Sequence, residues 1–444
     1  MTSNHPDVTG PDSILRASWL PVLLMLMLAA AFLIGGYSLS SQKYDQDLYH
    51  IQVIRQFEAQ LPVPDLSNYG AATGPGYHLV YAVVGTVIGS DIETLRWFST
   101  VFAALLIVVV AGFSTTRCSP RAAALITAPL AVSYYFLGSA VHLQTDNLAW
   151  LSAALVMGPL VFCRLSPWSL ATSACFLFLA VLVRQNFIWL AGPIILAGLL
   201  CTPPAERALF PARIAGSGER SGWGRFVCSL LVVIPGLLLL LVFRSLWSGL
   251  VPPNFQYFHS VHVIWIALGF SLAVLGLYAP FFLLVLPRCL LLVRRNTGWL
   301  IFAGVIGACS ALIPPSDFNS DLGRSGGIMW KLANAGPVIA DRSLVLTFFA
   351  AIGAASMMLI FLAMIQSKQK RGGLVLLCGW FATTSTMFLN SQSFQRYYDF
   401  PCLLLLVWGI ALSLHEEPAA ESRASYGPPL LAVIFAVLFA VASI

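Results

Sequence analysis

Long apolar runs separated by short polar segments constrain this chain more than any other feature. Of its 444 residues, 58% are hydrophobic and only 9% are charged, and apolar runs recur from residue 19 to residue 443. A helix of about 20 apolar residues crosses the roughly 30 Å hydrocarbon core of a bilayer. The pattern therefore predicts an all-α, polytopic transmembrane helical bundle with no sizeable soluble domain.

About thirteen segments are long and apolar enough to be membrane spans. The first covers 19–40, after a cytoplasmic N-terminal tail of residues 1–18, and residues 19–444 form one transmembrane domain. The run 76–89 is shorter and rich in glycine, which predicts an interfacial helix within the first external loop. The other spans are predicted near 95–114, 122–138, 146–163, 168–183, 186–201, 226–247, 261–287, 297–313, 343–366, 372–389, 399–414 and 427–443.

The basic residues indicate how the bundle is oriented. With the N-terminus in the cytoplasm, fifteen of the 24 lysines and arginines fall at the cytoplasmic ends of the spans, as the positive-inside rule requires. The other face then carries three polar loops, 41–94, 248–260 and 314–342, which we expect to form an active-site face. Because the net charge of +6 is dispersed over many loops, it indicates membrane topology rather than nucleic-acid binding.

Motifs for the common cofactors do not occur in the sequence. The chain has no Walker loop, no dinucleotide fingerprint, no HExxH and no CxxC, so a nucleotide-sugar donor is not predicted. The nine cysteines lie in or beside apolar segments without repeated spacing, as is typical of small core residues. We therefore expect no cofactor, and the motifs leave a metal requirement open.

Ionisable residues cluster just after the first span. Asp45 and Asp47 both lie there, and either carboxylate could accept the proton of an attacking hydroxyl. Residues two apart on a helix point to different sides, so only one of them need face a substrate. His50 lies three residues after Asp47 on the same helical face, which favours Asp47 as the base. The alternative is that both acids cap a helix or lie in solvent.

Polar residues in other external segments are candidates for substrate binding. Thr73 and Gly76 belong to a turn whose glycines allow a ligand to approach the backbone closely. Arg184, followed by Gln185, lies between two apolar spans, where a lipid phosphate or the headgroup region would accommodate its charge. The remaining candidates are charged and aromatic residues of the 314–342 loop and of span ends: Asp146, Asp321, Arg324, Trp330, Lys331, Arg396 and Tyr397.

Six short segments follow one another in a recognisable order. They are Gln46-Asp47-Leu48-Tyr49-His50, Thr73-Gly74-Pro75-Gly76, Thr145-Asp146, Arg184-Gln185-Asn186, Asp321 with Trp330-Lys331, and Arg396-Tyr397-Tyr398. This series resembles the motifs of the multispanning GT-C glycosyltransferases, and within them the dolichyl-phosphate-glucose-dependent α-1,2-glucosyltransferases. The chain departs from that family in three places. Gln46 replaces the first acid, no histidine and tyrosine follow Arg324, and no glutamate precedes Arg396.

The resemblance implies an inverting sugar transfer in which Asp47, or Asp45, deprotonates the acceptor hydroxyl. It implies that the donor phosphate is bound by Arg184, Arg324, Lys331 and Arg396. It implies substrate contacts from Thr73, Gly76, Asp146, Gln185, Asp321, Trp330 and Tyr397. The implied partners are a polyprenyl-phosphate-linked sugar, a glycan or glycolipid acceptor and membrane lipids, with no nucleic acid.

Other functions fit parts of the same pattern. A mannosyl-, arabinosyl- or galacturonosyltransferase of the same superfamily would use the same site. A lipid or oligosaccharide transporter would place ionisable groups near the middle of the bilayer, and a membrane scaffold gives no reason for acids and arginines to share one face. For an enzyme we expect a bacterial inner membrane or an endoplasmic reticulum membrane, with the active face periplasmic or lumenal.

Overall fold

The computed structural model describes residues 10–163, 165–200, 222–258, 263–316, 325–390, 392–414 and 421–443. These residues are mainly helical, and they confirm the predicted all-α, multispanning fold. Two predicted site residues, Asp321 and Arg324, lie outside the described residues.

The N-terminal half contains ten α-helices among its described residues. They are α1 (Pro11–Ile34), α2 (Ser40–Asp45), α3 (Ile51–Gln60), α4 (Gly76–Ile88), α5 (Ile92–Ser114), α6 (Pro120–Ala131), α7 (Tyr134–Val141), α8 (Asp146–Phe162), α9 (Pro167–Val183) and α10 (Ala191–Leu200). A π-helix, Gln46–His50, joins α2 to α3, and a 3-10 helix, Gln185–Leu190, leads into α10.

The described residues of the C-terminal half continue the bundle and add four two-residue strands. The α-helices are α11 (Gly222–Trp247), α12 (Ile266–Leu283), α13 (Cys289–Arg295), α14 (Thr297–Leu312), α15 (Ile328–Ala335), α16 (Leu344–Gln366), α17 (Lys370–Thr386), α18 (Arg396–Leu414) and α19 (Gly427–Ser443). The strands are β1 (Ser325–Gly326), β2 (Val338–Ile339), β3 (Arg342–Ser343) and β4 (Ser393–Phe394). Short 3-10 helices cover Pro253–Phe258, Met387–Leu389 and Ser422–Ser425.

The number of spans depends on how bent and short helices are counted. Among the described residues, eight helices are long and apolar enough to cross a membrane, and ten segments qualify if each bent pair is one span. The bent pairs are α6 with α7, at 72°, and α13 with α14, at 86°. Three further predicted spans correspond to shorter apolar helices, namely α8, α9, and α10 with its preceding 3-10 helix. The chain is thus an integral, multi-pass membrane protein.

The first helix begins earlier than the sequence pattern predicts. We expect a span from residue 19, but α1 begins at Pro11. Proline is favourable at the first helical position because it lacks the amide hydrogen that would be unsatisfied there. Asp12 lies in the first turn, where its charge interacts favourably with the helix dipole. Part of the predicted tail, residues 11–18, is therefore helical.

Two of the segments predicted to be external loops contain regular structure. Segment 41–94 contains the short helices α2, α3 and α4, as expected for interfacial helices. In segment 314–342, strand β1 pairs in parallel with β4, with Ser325 opposite Ser393. This pairing places the loop next to the start of α18. It was not predicted, because two-residue strands leave no periodic signal in a sequence.

Close contacts between helix backbones hold α12 against α16. A Cβ atom at Gly353 would lie 1.9 Å from the carbonyl oxygen of Leu272, and one at Gly276 would lie 2.0 Å from that of Phe349. Small residues let membrane helices approach closely, which increases the van der Waals contact between them. These two glycines therefore determine the distance between the helices.

We predict that Gly353→Ala lowers the thermal unfolding temperature of the purified protein in detergent. The added methyl group would meet backbone atoms, which can move only if the helices separate. Gly298→Ala is the matched control, because a Cβ there meets no atom within 4 Å and alanine favours the helix. Equal unfolding temperatures for the two variants would show that the α12–α16 contact is not tight.

Candidate functional site

Two arginine–aspartate pairs meet at one end of the bundle. Arg396 Nη1 donates to Asp45 Oδ2 at 2.8 Å, and Arg184 pairs with Asp146. The ring centroid of Tyr397 lies 5.3 Å from the Arg184 guanidinium and 5.2 Å from that of Arg396. All four charged side chains are at most 24% exposed. We call these five residues the ionic cluster.

Helix ends position the members of the ionic cluster. Asp146 is the first residue of α8 and Arg184 directly follows α9, so each charge lies where the helix dipole favours it. Arg396 begins α18, where the dipole disfavours a cation. The carboxylates of Asp45 and of Asp399, in the first turn of α18, oppose that effect. Residues from four separate segments are thereby brought together.

The π-helix Gln46–His50 determines which acid of the first loop joins the cluster. Its hydrogen bonds join residues five apart, so its turn is wider than that of an α-helix. Asp45 and His50 are five apart, and the charge of Asp45 acts on His50. Asp47 is not a hydrogen-bond partner of His50, so the expected orientation of His50 by Asp47 is not observed. That expectation assumed an α-helical repeat.

Asp47 has different surroundings from Asp45. It pairs with Lys43 and accepts a hydrogen bond from Gln46 Nε2 at 3.0 Å. Partial burial acts to raise the pKa of Asp47, but the hydrogen bonds from Lys43 and Gln46 hold it below its usual value. The Asp47 side chain is 37% exposed, compared with 24% for Asp45. The two candidate bases therefore face different partners, as two residues at this spacing should.

His50 belongs to a buried hydrogen-bonded chain. Its Nδ1 lies 3.0 Å from Nε2 of His78, whose Nδ1 lies 2.7 Å from the hydroxyl of Tyr69. The Tyr69 hydroxyl also lies 2.8 Å from the carbonyl oxygen of Gly74, which can only accept. With Tyr69 donating to Gly74, His78 donates to Tyr69 and accepts from His50. This assignment leaves Nε2 of His50 as an acceptor.

Burial keeps both histidines neutral. It lowers the pKa of His50 to about 4. The aspartates of the ionic cluster raise this pKa and its arginines lower it, both by smaller amounts than burial. Burial also lowers the pKa of His78 well below its usual value, and the neighbouring His50 adds to that effect. His78 and Tyr69 were not among the predicted site residues. Their nearness to the turn at residues 73–76 was the available signal.

The turn that contains Thr73 and Gly76 docks against the end of α9. The amide of Gly74 donates to the carbonyl of Val183 at 3.0 Å, and a Cβ at Gly74 would lie 2.1 Å from the Leu182 carbonyl oxygen. A Cβ at Gly76 would lie 2.8 Å from Leu182 Cγ. The glycines are thus required by contact with protein backbone, and they hold the first loop beside Arg184.

Two predicted substrate-binding residues near this turn have free polar atoms. Thr73 Oγ1 and Gln185 Nε2 are buried and have no hydrogen-bond partner among the described residues. A buried polar group without a partner is costly unless a ligand or water completes its bonding. Both atoms therefore remain candidates for contact with a bound molecule.

Trp330 and Lys331 lie on α15 in different surroundings. Trp330 is 3% exposed, stacks on Phe270 with ring centroids 4.5 Å apart and donates from Nε1 to the Ser393 carbonyl at 2.6 Å. It is a core residue that fixes α15 to β4, and its contact with substrate stays a prediction. Lys331 is exposed on α15 and forms no ion pair within the described residues.

A buried carboxylate that was not predicted supports the start of α18. Asp399 accepts hydrogen bonds from the hydroxyls of Ser133 and Tyr278. Tyr278 in turn accepts from Gln395 Nε2 at 2.8 Å, and Gln395 Oε1 accepts from the amide of Met329 at 2.8 Å. This network joins the connection between α6 and α7 to α12, α15 and α18. An acid at the first residue of a predicted span is the sequence signal that indicates it.

The ionic cluster is suited to anion binding and proton transfer. Each arginine is held by a carboxylate, and a phosphate group can replace a carboxylate on a guanidinium. A carboxylate released in this way can accept a proton. Within the described ranges, no group of three or more His, Cys, Asp and Glu side chains could hold a metal ion.

Comparisons with known proteins give distant similarities. No protein-family model and no curated protein sequence matches the chain. Its fold is similar to that of the oligosaccharyltransferase AglB from Archaeoglobus fulgidus, solved with an inhibitory peptide and a dolichol-phosphate, at 14% identity and a TM-score of 0.47. The similarity covers 97% of this chain and 55% of AglB, so this chain spans about half the length of that protein.

A second solved structure, ArnT from Cupriavidus metallidurans in the apo state, is similar at 14% identity and a TM-score of 0.36. It covers 92% of this chain and 78% of ArnT. With both TM-scores below 0.5, neither similarity assigns a family, a donor or an acceptor to this chain.

We predict that the protein loses stability as the pH falls from about 6.5 towards 4. In that window an unfolded chain protonates its histidines while buried His50 and His78 stay neutral, so protons favour the unfolded state. Each unit of pKa depression contributes about 1.4 kcal/mol. Thermal unfolding of the wild type and of His50→Asn, measured across this range, checks the prediction. The variant should lose less stability on acidification, and parallel curves would contradict the assignment of neutral His50.

Proposed function

We propose that this chain is a membrane glycosyltransferase of GT-C type. It moves a hexose, with glucose favoured, from a polyprenyl-phosphate-linked donor to a lipid-linked or cell-envelope glycan acceptor. The ionic cluster carries the proposal, because it combines two arginines able to bind a phosphate with an acid able to act as a base. The ordered resemblance to GT-C motifs supports the same class and is the reason for favouring glucose.

Asp45 is the proposed base, in preference to Asp47. Asp45 contacts Arg396, which the proposal assigns to the donor phosphate, whereas Asp47 pairs with Lys43. When the donor phosphate binds Arg396, it displaces Asp45, whose carboxylate then faces the acceptor hydroxyl. Donor binding thus releases the base only when there is a sugar to transfer. His50, neutral and five residues away, can accept a hydrogen bond from the acceptor.

The transfer is a single displacement at the anomeric carbon. The acceptor oxygen loses its proton to Asp45 and forms a bond to that carbon, while the bond between the carbon and the phosphate oxygen breaks on the opposite face. The configuration of the sugar is inverted. Negative charge that develops on the departing lipid phosphate is stabilised by Arg184 and Arg396. Tyr397, which contacts both guanidinium groups, keeps them at a fixed separation.

The proposal is tested by incubating purified protein in proteoliposomes with a panel of radiolabelled polyprenyl-phosphate sugars and extracted glycolipid acceptors. We expect one label to become covalently attached to an acceptor, with the glucose donor the first to examine. A label that crosses the vesicle membrane still attached to its lipid or as free oligosaccharide would identify a transporter instead.

Two single variants test which aspartate, Asp45 or Asp47, is the general base. We expect Asp45→Asn to reduce transfer by about 100-fold or more, the range associated with loss of a general base. Asp47→Asn should change transfer by less than about fivefold, because an exposed ion pair contributes little. Both proteins should be recovered folded from membranes. Full activity of Asp45→Asn would remove Asp45 from this role, and inactivity of Asp47→Asn alone would restore Asp47 as the base.

A further inference from the structure

An open cleft lies at the other end of the bundle from the ionic cluster. It lies between the segment after α5, the end of α8 and the start of α17. Asp146 and Phe162 are the two ends of α8, and a 17-residue helix is about 25 Å long. The cleft is therefore separated from the ionic cluster by most of a membrane's thickness. Its lining residues are Arg117, Val161, Phe162, Cys163, Lys368, Gln369, Arg371 and Gly372.

The two arginines of this cleft are fixed in place by backbone carbonyls. Arg117 Nη2 donates to the carbonyl of Phe162 at 2.9 Å, and Arg371 Nη1 donates to that of Cys163 at 2.8 Å. These bonds use one nitrogen of each guanidinium. Arg117 Nε, Arg371 Nε and Arg371 Nη2 are buried and have no hydrogen-bond partner among the described residues. Preorganised donors of this kind match the oxygens of a phosphate.

The electrostatics of the cleft favour an anion. Burial lowers the pKa of Arg117, which shows that its charge is partly removed from water. Within the described residues, neither arginine forms an ion pair with a carboxylate. A charge that is partly removed from water and lacks a counter-charge is costly, and a bound anion would offset that cost.

The start of α17 adds backbone donors to the same cleft. Gln369 precedes the helix and its side chain makes no capping bond. The first amide groups of a helix have no partner within the helix, and the dipole there attracts negative charge. Gly372, in this first turn, packs so closely that a Cβ would lie 2.5 Å from the Val161 carbonyl oxygen. The helix start is therefore held against the end of α8, beside the arginines.

We propose that this cleft is a phosphate-binding site for the membrane face opposite the ionic cluster. A phosphate group would bind the free guanidinium nitrogens of Arg117 and Arg371 and the first amides of α17. The phosphate can belong to an anionic lipid headgroup or to a soluble phosphate ester. The proposal is independent of the glycosyltransferase assignment, because it uses none of the residues of the ionic cluster.

Lipid binding to the purified full-length protein tests the proposal. Native mass spectrometry in detergent would measure binding of phosphatidylglycerol and of diacylglycerol, which has the same chains but no phosphate. Glycerol 3-phosphate, added as a competitor, distinguishes the two sources of the phosphate. If it displaces the lipid at similar concentration, a soluble ester suffices, and if it does not, the site is specific for a lipid headgroup.

The variant Arg117→Gln with Arg371→Gln should bind phosphatidylglycerol at least about tenfold more weakly, since each charged hydrogen bond contributes about that much. The matched control is Arg294→Gln with Arg295→Gln, which removes two exposed arginines from the end of α13 and should bind like the wild type. Equal binding by all three proteins would overturn the proposal. So would equal affinity of the wild type for phosphatidylglycerol and diacylglycerol, a result that does not depend on folding of the variants.

Discussion

The arrangement of the ionic cluster depends on one constraint: an arginine that is largely buried must be paired with a negative charge. Arg184 and Arg396 are at the ends of apolar helices, where an unpaired guanidinium would be costly. Asp146 and Asp45 supply the counter-charges from different segments of the chain. Because each pair joins segments distant in sequence, the two pairs determine how the first loop, α8, α9 and α18 meet.

The same ion pairs suit a site that binds a phosphate, because each arginine is already held in position by a carboxylate. An arginine that is held by a carboxylate can exchange it for a phosphate without leaving the guanidinium unpaired, and the released carboxylate can then accept a proton. Other contacts keep the residues of the ionic cluster in position during such an exchange. Gly74 lets the first loop lie against α9. The hydrogen bonds from Ser133 and Tyr278 to Asp399 hold the start of α18 in place. The groups that we propose to react are therefore held on helix ends and beside a tightly docked turn.

The apolar pattern predicts the class of fold and most of the spans, because a helix must be long and apolar to cross a bilayer. The pattern of charges also identifies most of the residues that meet in the ionic cluster. The spacing to His50 favours Asp47 over Asp45 only for an α-helical repeat, and no sequence pattern indicates the π-helix that follows Asp45. The resemblance to GT-C motifs implies a substrate contact for Trp330, whereas its stacking on Phe270 could not be predicted from local sequence because the two residues are 60 positions apart.

A structure of the protein with a polyprenyl phosphate bound would test the central claim most directly. The account predicts that the phosphate lies within hydrogen-bonding distance of both Arg184 and Arg396, and that Asp45 no longer contacts Arg396. A complex in which the phosphate binds elsewhere, or in which the Asp45–Arg396 pair remains intact beside it, would contradict the account.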